Sequence, residues 1–307
     1  GNKKEVISLI DNFMYPRDGY VRIPERMAED IQGKGNAVLL SAGVTRLSYH
    51  GPNDIEVFYQ QNGEERTLRA NAVLSTIPLG HLVRMLTPAC GKDVEDAARG
   101  LVFRDLVTVN VIFKKKQVSP DTWLYVQDED VLFGRLHEPK NWSAAMVPDA
   151  EHTSLVLECF CTKGDAVWQM SDDDIVKRCV RDLVDKLKFV RDEDFVDAAV
   201  VRTTHAYPVY DLEYAGKIAT IKAFLANFEG LHIVGRGGTF RYNNADHSVE
   251  MGLLLGRKLL GYEIDHLAVN TEPEYQEIKR GDDLQRDRFT DASASVKAAA
   301  GKRIVVD

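Results

Sequence analysis

Residues 235–252, GRGGTFRYNNADHSVEMG, are the stretch that decides the fold of this chain. They follow an apolar segment at 231–234 with the composition of a short buried strand, and they lead into an apolar segment at 248–260 with helical spacing. The start of a helix presents unpaired backbone N–H groups and about half a positive charge. The pattern therefore predicts a glycine-rich turn between a strand and a buried helix, suited to an anion or an electron-rich ring.

Two arginines in this stretch, Arg236 and Arg241, add guanidinium groups that suit phosphate or carboxylate. The same residues are also explained by a tight turn, with Asp246 or Ser248 capping the helix and both arginines in solvent. The adjacent His247 is either a general acid/base or a residue of the helix cap. The sequence by itself leaves these interpretations open.

This stretch does not match the known phosphate-binding motifs. A dinucleotide fingerprint needs three glycines that directly follow a strand and open a helix, whereas Gly235 and Gly237 supply only the first two. The glycines at 33 and 35 follow a predicted helix instead of a strand, and no Walker-type phosphate loop occurs. We therefore expect that the phosphate-cradling half of a nucleotide site is missing from this sequence.

The composition places the chain among globular proteins. Of its 307 residues, 44% are hydrophobic and 28% are charged, which excludes disorder as the main state and excludes collagen and coiled coils. A net charge of −8 disfavours non-specific nucleic-acid binding. No apolar run approaches the roughly 20 residues that cross a membrane. We expect a cytoplasmic protein of about two domains that binds a small molecule, with its oligomeric state left open.

The cysteines of the chain show no paired or metal-binding spacing. They are Cys90, Cys159, Cys161 and Cys179. Cys159 and Cys161 lie two apart in an alternating segment, so both thiols are predicted to share one face of a strand. We expect buried free thiols in a reducing compartment. The acidic run at 172–174 is explained by the first turn of a helix capped by Ser171, and we expect no metal site.

Periodicity along the chain predicts a mixed α/β fold. Helices are predicted over 20–35, 93–101, 171–187, 214–228 and 248–260. Strands are predicted over 38–40, 44–49, 55–59, 67–70, 72–77, 106–113, 123–126, 131–136, 154–161, 195–203 and 231–234. The Asn62-Gly63 pair predicts a hairpin. The composition becomes polar after Gly261, so 279–307 is predicted to be a charged tail.

Residues 235–252 resemble the C-terminal flavin-contacting motif of FAD-dependent oxidoreductases of the amine-oxidase superfamily. The form Gly-Arg-x-Gly-x-Phe-Arg-Tyr is similar to the branch with protoporphyrinogen-oxidase-like proteins and UDP-galactopyranose mutases. Other segments resemble this branch in the same order, namely 15–19, 72–78, 141–143 and 205–211. The resemblance covers about residues 13–275. It implies the C-terminal part of a two-domain FAD-binding oxidoreductase fold, with a β-meander and a mixed-sheet substrate domain.

The resemblance also implies the residues of the site. FAD is the implied cofactor, and its implied contacts are Val44, Gly235, Arg236, Gly237, Gly238, Glu250, Met251 and Gly252. The glycines would allow the cofactor to approach closely, and a helix start near 250–252 would point N–H groups at it. The implied substrate-side residues are Tyr207, Tyr210, Arg241, Tyr242 and Asn244. No catalytic residue is assigned.

The substrate remains open at this point. Aromatic faces suit a uracil or a tetrapyrrole, and arginines suit a diphosphate or a propionate, so a nucleotide sugar or another anionic small molecule is the expected ligand. Tyr207 and Tyr210 are also explained as packing residues around Pro208. Arg104, Asp105, Arg135, Arg202 and His205 either line the cleft or form ordinary surface and strand-end contacts.

The sequence departs from this family in one respect, since it lacks the βαβ unit with three glycines that holds the ADP half of FAD. We therefore expect a fragment of the fold that does not bind FAD tightly by itself. The first functional hypothesis is an FAD-dependent oxidoreductase. The second is a UDP-galactopyranose-mutase-like enzyme, in which Arg135, Arg236 and Arg241 would bind the diphosphate of a UDP-sugar. The third is a non-catalytic remnant of the fold.

The same resemblance divides the chain into five predicted segments. They are a substrate-domain helix region at 1–35, a β-rich part of the FAD-binding domain at 36–80, a substrate-binding domain at 81–228, a flavin-contacting strand-turn-helix at 229–262 and a C-terminal extension at 263–307. We expect enzymatic activity of the parent protein, and the activity of this chain alone stays open.

Overall fold

The computed structural model describes residues 14–271 of the chain. This part mixes helices and strands, as the sequence predicts. The strands are β1 (Ala42–Gly51), β2 (Asp54–Gln61), β3 (Glu64–Ala70), β4 (Val73–Ser75), β5 (Leu86–Thr87), β6 (Phe103–Phe113), β7 (Leu124–Tyr125), β8 (Arg135–His137), β9 (Thr153–Cys161), β10 (Phe195–Pro208) and β11 (Leu231–Ile233). The helices are α1 (Arg22–Gly33), α2 (Leu79–Met85), α3 (Lys92–Arg99), α4 (Ala166–Gln169), α5 (Asp172–Arg181), α6 (Tyr214–Leu225), α7 (Gly235–Thr239) and α8 (Ala245–Leu259). The predicted tail at 279–307 lies outside the described residues.

A β-meander of three antiparallel strands, β1, β2 and β3, follows the first helix. The predicted hairpin joins β2 to β3, with φ of +54° at Asn62 and +82° at Gly63. Such a two-residue turn needs positive φ at both positions, which Asn and Gly tolerate. β5 pairs in parallel with β1, so the four-stranded sheet is mixed. The predicted hairpin and meander are confirmed.

A second, five-stranded sheet is antiparallel throughout, in the order β10-β6-β9-β8-β7. Every second side chain of β6 is buried, because successive side chains of a strand point to opposite faces. α5 packs against this sheet and begins as predicted, with Ser171 Oγ accepting a hydrogen bond from the N–H of Asp174 at 3.1 Å. A π-helical turn, Asp182–Lys186, continues α5 toward the predicted end at residue 187.

The buried apolar side chains form two main cores. The first joins β1 and β2 to α2, α3, α6 and β11. The second lies between the five-stranded sheet and α5, and it contains the thiols of Cys159, Cys161 and Cys179, which are free and buried as predicted. The strand β6 connects the cores, with Phe103 in the first and Phe113 in the second. The five predicted segments stay a prediction, but α2, α3 and α6 share their core with the meander.

β4 and β11 form a two-stranded parallel sheet, and α7 follows β11 directly. α7 lies close against the end of β4. An added Cβ would lie 2.6 Å from the Ser75 carbonyl oxygen at Gly238, and 3.2 Å from the Thr76 carbonyl oxygen at Gly237. The turn predicted at 235–238 is confirmed only at its start, where φ of Gly235 is +75°, because residues 235–239 form a short helix that packs on β4. The chain turns again at Phe240, where φ is +52°.

Two further predictions are corrected. α8 begins at Ala245 instead of near Ser248, because Asn244 forms the N-cap ahead of the apolar stripe. Residues 38–40 do not form a strand, and Ser41 with φ of +53° separates them from β1. Among the helices of the described chain, none is long and apolar enough to cross a membrane.

Candidate functional site

The candidate site lies where the two parallel strands β4 and β11 end. Ligands of open α/β sheets bind beyond the carboxyl ends of such strands. Here β4 ends at Ser75, and β11 leads into α7 with Arg236 as its second residue. Two buried atoms, Ser75 Oγ and Arg236 Nη2, have no hydrogen-bond partner within the described part of the chain. Buried polar groups nearly always have partners, so these atoms are candidates for contact with a ligand.

Arg236 is held at this edge by backbone groups and by two aromatic rings. Its Nε donates to the carbonyl oxygen of Ala206 at 3.0 Å, and its Nη1 donates to that of Asn243 at 2.9 Å. The guanidinium carbon lies 4.8 Å from the ring centroids of both Tyr207 and Tyr242, which is a cation–π distance. Arg236 forms no ion pair with any residue that the structure describes. The cation is therefore available to a negative or hydrogen-bond-accepting ligand group.

Tyr207 is fixed by a largely buried ion pair on β8 and β9, which lie beyond β6 in the same sheet. Arg135 donates from Nε to Glu158 Oε1 at 2.9 Å and from Nη2 to Oε2 at 2.6 Å. The Tyr207 hydroxyl accepts from Arg135 Nη2 at 2.9 Å and donates to Glu158 Oε2 at 3.1 Å. Burial, together with the Glu158 carboxylate, raises the pKa of Tyr207. Burial alone would lower the pKa of Arg135, but the Glu158 carboxylate outweighs burial and raises that pKa. The guanidinium is therefore protonated, and its positive charge is balanced by Glu158.

Arg241 forms hydrogen bonds with the last described segment of the chain. Its Nη1 donates to the carbonyl oxygens of Leu267 at 2.5 Å and Val269 at 2.8 Å. The three arginines that the sequence suggests for a diphosphate therefore differ in their partners. Arg135 has a carboxylate, and Arg241 and Arg236 each donate to two carbonyl oxygens. Arg236 in addition keeps a buried Nη2 without a partner in the described chain.

The tyrosines predicted for the substrate side come together beside Arg236. The Tyr242 N–H donates to the Tyr210 hydroxyl at 2.9 Å. The Tyr242 ring centroid lies 5.8 Å from that of Tyr207 and 5.7 Å from that of Tyr210. Burial raises the pKa of Tyr210, whose ring stacks on Tyr214 at 4.3 Å. Tyr210 and Tyr242 are 44% and 47% exposed, so a ligand can reach them, and their role in substrate binding stays a prediction.

A capping box closes the start of α8. The Asn244 side chain accepts from the N–H of His247, and His247 Nδ1 accepts from the N–H of Asn244 at 3.1 Å. His247 is therefore a capping residue, one of the two interpretations that the sequence allows. Because α8 begins at Ala245, residues 250–252 lie in its second turn, where N–H groups bond within the helix. The predicted helix start near 250–252 is wrong.

The remaining predicted cofactor residues lie in different environments. Met251 is fully buried, and its Sδ accepts from Asn243 Nδ2 at 3.0 Å. An added Cβ at Gly252 would meet no atom within 4 Å. Val44 lies on β1 opposite Tyr59 and packs against the first core. Contact of these residues, and of the α7 glycines, with a cofactor stays a prediction.

Two parts of this region were not predicted. Glu158 occurs on β9 without a motif around it, so its contact with Arg135 becomes visible only in the tertiary structure. On β8, His137 stacks on Trp142 at 5.1 Å, and burial lowers the pKa of His137 to about 4. The alternation of Arg135 and His137 along β8 is the sequence signal that could have placed both on one face.

Comparison with solved structures finds proteins of similar fold. Reduced UDP-galactopyranose mutase matches with a TM-score of 0.71 at 19% identity, over 84% of this chain and 55% of that one. A protein assigned as a protoporphyrinogen oxidase from Exiguobacterium sp. 255-15 matches with a TM-score of 0.56 at 19% identity, over 71% and 46%. A redesigned putrescine oxidase matches with a TM-score of 0.56 at 15% identity, over 80% and 53%. The chain thus spans about half the length of these proteins.

The solved structures show a shared fold, and no curated protein matches the chain. The family model described as flavin containing amine oxidoreductase matches residues 6–235, which is more than half of the 307 residues. This match ends at the first residue of α7. It confirms the resemblance on evidence largely separate from the motif at 235–252. The chain therefore belongs to the flavin containing amine oxidoreductase family.

Proposed function

We propose that this chain supplies the flavin-contacting and substrate-binding part of an FAD-dependent oxidoreductase. The environment of Arg236 carries the proposal. Its guanidinium lies at the ends of two parallel strands, between Tyr207 and Tyr242, with a buried Nη2 that has no partner in the described chain. A cation in this position needs an acceptor, and the family of the chain supports a flavin as that acceptor.

The residues present fit the flavin part of the cofactor. Ser75 Oγ and Arg236 Nη2 are the two unpartnered buried groups that would bind its polar edge. A flavin held by these residues would supply a hydride acceptor for the substrate. The charge of Arg236 would stabilise negative charge on a neighbouring ring system, since water screens a partly buried charge less than a fully exposed one. The rings of Tyr207 and Tyr242 each lie 4.8 Å from the guanidinium carbon and restrict its orientation.

We infer that the phosphate half of FAD is bound by residues outside this sequence. The sequence has no three-glycine fingerprint and no phosphate loop. The chain also spans about half the length of the solved proteins that it resembles. A flavin site that lacks its phosphate contacts binds FAD weakly, because the ionic contacts to the diphosphate are lost.

We further infer that the substrate contacts the aromatic surface formed by Tyr207, Tyr210 and Tyr242. Two of these rings are more than 40% exposed beside an arginine without a carboxylate partner. This combination favours a small molecule with a planar group and an acidic substituent. A uracil in a nucleotide sugar and a tetrapyrrole with propionates both have that character.

A UDP-galactopyranose-mutase-like activity is the second candidate. It requires cations that converge on a diphosphate, whereas Arg135 binds Glu158 and Arg241 binds the carbonyl oxygens of Leu267 and Val269. Of the three arginines, Arg236 is the one with a buried Nη2 that has no partner in the described chain, and a single such cation favours the oxidoreductase. An assay of UDP-galactopyranose conversion separates the two, since a mutase requires reduced flavin and consumes no electrons.

Titration of FAD with the purified chain, followed by flavin fluorescence, tests the proposal and detects weak binding. Arg236→Met keeps the length of the side chain but removes the cation, so we expect about tenfold weaker binding or more. Arg202→Met is the matched control, because Arg202 holds the carbonyl oxygens of Trp168 and Met170 elsewhere in the fold. Equal affinity in Arg236→Met and wild type would contradict the proposal.

The visible spectrum of the same sample distinguishes a flavin-binding chain from a non-catalytic remnant of the fold. Flavin released from the denatured protein in near-stoichiometric amount would show a complete site and would contradict the inference that the phosphate contacts lie outside this sequence. A chain that neither quenches flavin fluorescence nor acquires colour favours the non-catalytic remnant, and the oxidoreductase proposal then fails for this chain.

A further inference from the structure

The contacts that hold Arg236 begin at an irregularity in β10. The pairing of β10 with β6 passes from Thr203 opposite Leu106 to Tyr207 opposite Arg104. Three residues, 204–206, therefore face the single residue between Arg104 and Leu106. In a regular antiparallel ladder, the partner of Arg104 would be the residue two positions earlier in β10. The bulge thus brings Tyr207 into a register that the uninterrupted strand would have given to residue 205.

The single residue opposite the bulge is Asp105, which is 6% exposed. Its Oδ1 accepts from the backbone N–H of His205 at 2.8 Å, and its Oδ2 accepts from that of Lys163 at 2.6 Å. His205 has φ of +59°, a conformation that is unfavourable for a residue with a side chain. The carboxylate therefore satisfies the N–H that the bulge withdraws from the ladder and holds His205 in a strained conformation.

The two residues that follow His205 are those that contact Arg236. The Ala206 carbonyl oxygen accepts from Arg236 Nε at 3.0 Å, and the Tyr207 ring lies 4.8 Å from the guanidinium carbon. We propose that Asp105 is a positioning residue, which places the guanidinium of Arg236 through the bulge of β10. The placement of Arg236 follows from these contacts alone, whereas its consequence for flavin rests on the proposed function.

The closing experiment observes the Arg236 side chain directly. In the wild-type chain, the Arg236 Nε–H should give an NMR signal that is protected from solvent exchange by Ala206 and shifted by the tyrosine ring current. Asp105→Asn leaves one of the two backbone N–H groups facing an amide NH₂. We expect this signal to lose its ring-current shift and to exchange about tenfold faster, the factor expected for one lost hydrogen bond.

Asp182→Asn is the matched control. Asp182 is 1% exposed and also accepts from a backbone N–H, that of Leu132 at 2.9 Å, and it pairs with Arg178 and Lys186. Its neighbours Leu132 and Leu183 pack in the second core, away from Arg236. Its substitution removes an equally buried carboxylate and should leave the Arg236 signal unchanged. A merely structural role of Asp105 predicts equal effects of the two substitutions, and that result would overturn the proposal.

A second pair of variants tests the bulge from the other strand and covers the case in which Asp105→Asn does not fold. His205→Gly tolerates positive φ, so the Arg236 signal should persist. His205→Val resists positive φ, so the signal should lose its shift and its protection. Retention of the signal in His205→Val would overturn the proposal.

Flavin binding is measured on the same samples. If the wild type binds FAD, Asp105→Asn should weaken binding about as much as Arg236→Met, and equal affinity in Asp105→Asn and wild type would overturn the consequence for flavin. If the wild type does not bind FAD, the proposed function fails. The NMR signal then still decides whether Asp105 positions Arg236.

Discussion

The hydroxyl of Tyr207 on β10 lies 3.1 Å from the Glu158 carboxylate on β9. Tyr207 thereby links an ion pair within the five-stranded sheet to the arginine of α7. Glu158 also binds Arg135 through both carboxylate oxygens. The ring of Tyr207 in turn lies under the guanidinium of Arg236. A buried ion pair on β8 and β9 thus supports the cation at the end of β11.

Glu158→Gln is expected to destabilise the fold by about 3 kcal/mol, because it leaves Arg135 buried without a carboxylate. The side chains of the pair are only 22% and 7% exposed. Urea unfolding gives the free energy of unfolding. Glu151→Gln, which removes the exposed partner of Lys116, is the control and should change stability by less than about 1 kcal/mol. Equal effects of the two substitutions would show that the buried pair is not required.

Tyr207→Phe should cost about 1 kcal/mol at neutral pH, since the hydroxyl loses its bonds to Arg135 and Glu158 while the ring stays. Burial and Glu158 raise the pKa of Tyr207, so the folded state holds this proton more tightly than the unfolded state. The resulting stabilisation is full below about pH 10 and is lost as the pH rises through the raised pKa. Urea midpoints between pH 9 and pH 11 should therefore fall more steeply in wild type than in Tyr207→Phe. Parallel curves would argue against this linkage.

Gly238→Ala should destabilise the fold by roughly 1 to 3 kcal/mol, because the new Cβ would lie 2.6 Å from the Ser75 carbonyl oxygen. Gly252→Ala is the matched control. It lies within α8, and its Cβ would meet no atom within 4 Å, so it should stabilise by up to about 1 kcal/mol. Thermal unfolding of the two variants measures both effects. A stability gain in Gly238→Ala would mean that α7 is not packed against β4.

The loss of folding stability at acidic pH should depend on His137. Burial lowers its pKa to about 4 from an ordinary value of 6.5, so the unfolded chain binds the proton more tightly than the folded chain in this range. The stability contributed by the neutral imidazole is full above pH 6.5 and is lost as the pH falls toward 4. In His137→Gln, the urea midpoint should therefore fall less between pH 7 and pH 5 than it does in wild type. His50→Gln, at an exposed histidine, is the control and should keep the wild-type slope.

Features with a short-range signal were predictable from the sequence. Asn62 and Gly63 accept the positive φ of a two-residue hairpin. Ser171 accepts from an N–H three residues later. Cys159 and Cys161 share a buried face because the side chains of a strand alternate. Each prediction depends on residues that are neighbours in the chain, whose geometry is local. The family could be inferred in the same way, because the motif at 235–252 is contiguous.

Short-range reasoning was wrong where packing between elements overrides local preference. The glycines at 235–238 are typical of a turn, but they form a helix because their missing side chains allow α7 to lie on β4. Contact of Val44 and these glycines with a cofactor stays a prediction, because neighbours within the chain do not decide it. A glycine is compatible with both outcomes, and only the atoms opposite it decide between them.

The sequence by itself determined the family, the mixed α/β class and the presence of arginines and tyrosines at the site. The tertiary structure alone decided what each arginine does. Arg135 has a carboxylate, and Arg241 and Arg236 each have two carbonyl oxygens. Arg236 in addition has two aromatic rings and an Nη2 without a partner in the described chain. The physical reason is that helix, strand and turn preferences act between neighbours in the chain. The electrostatic partner of a side chain is instead set by which strands and helices pack together.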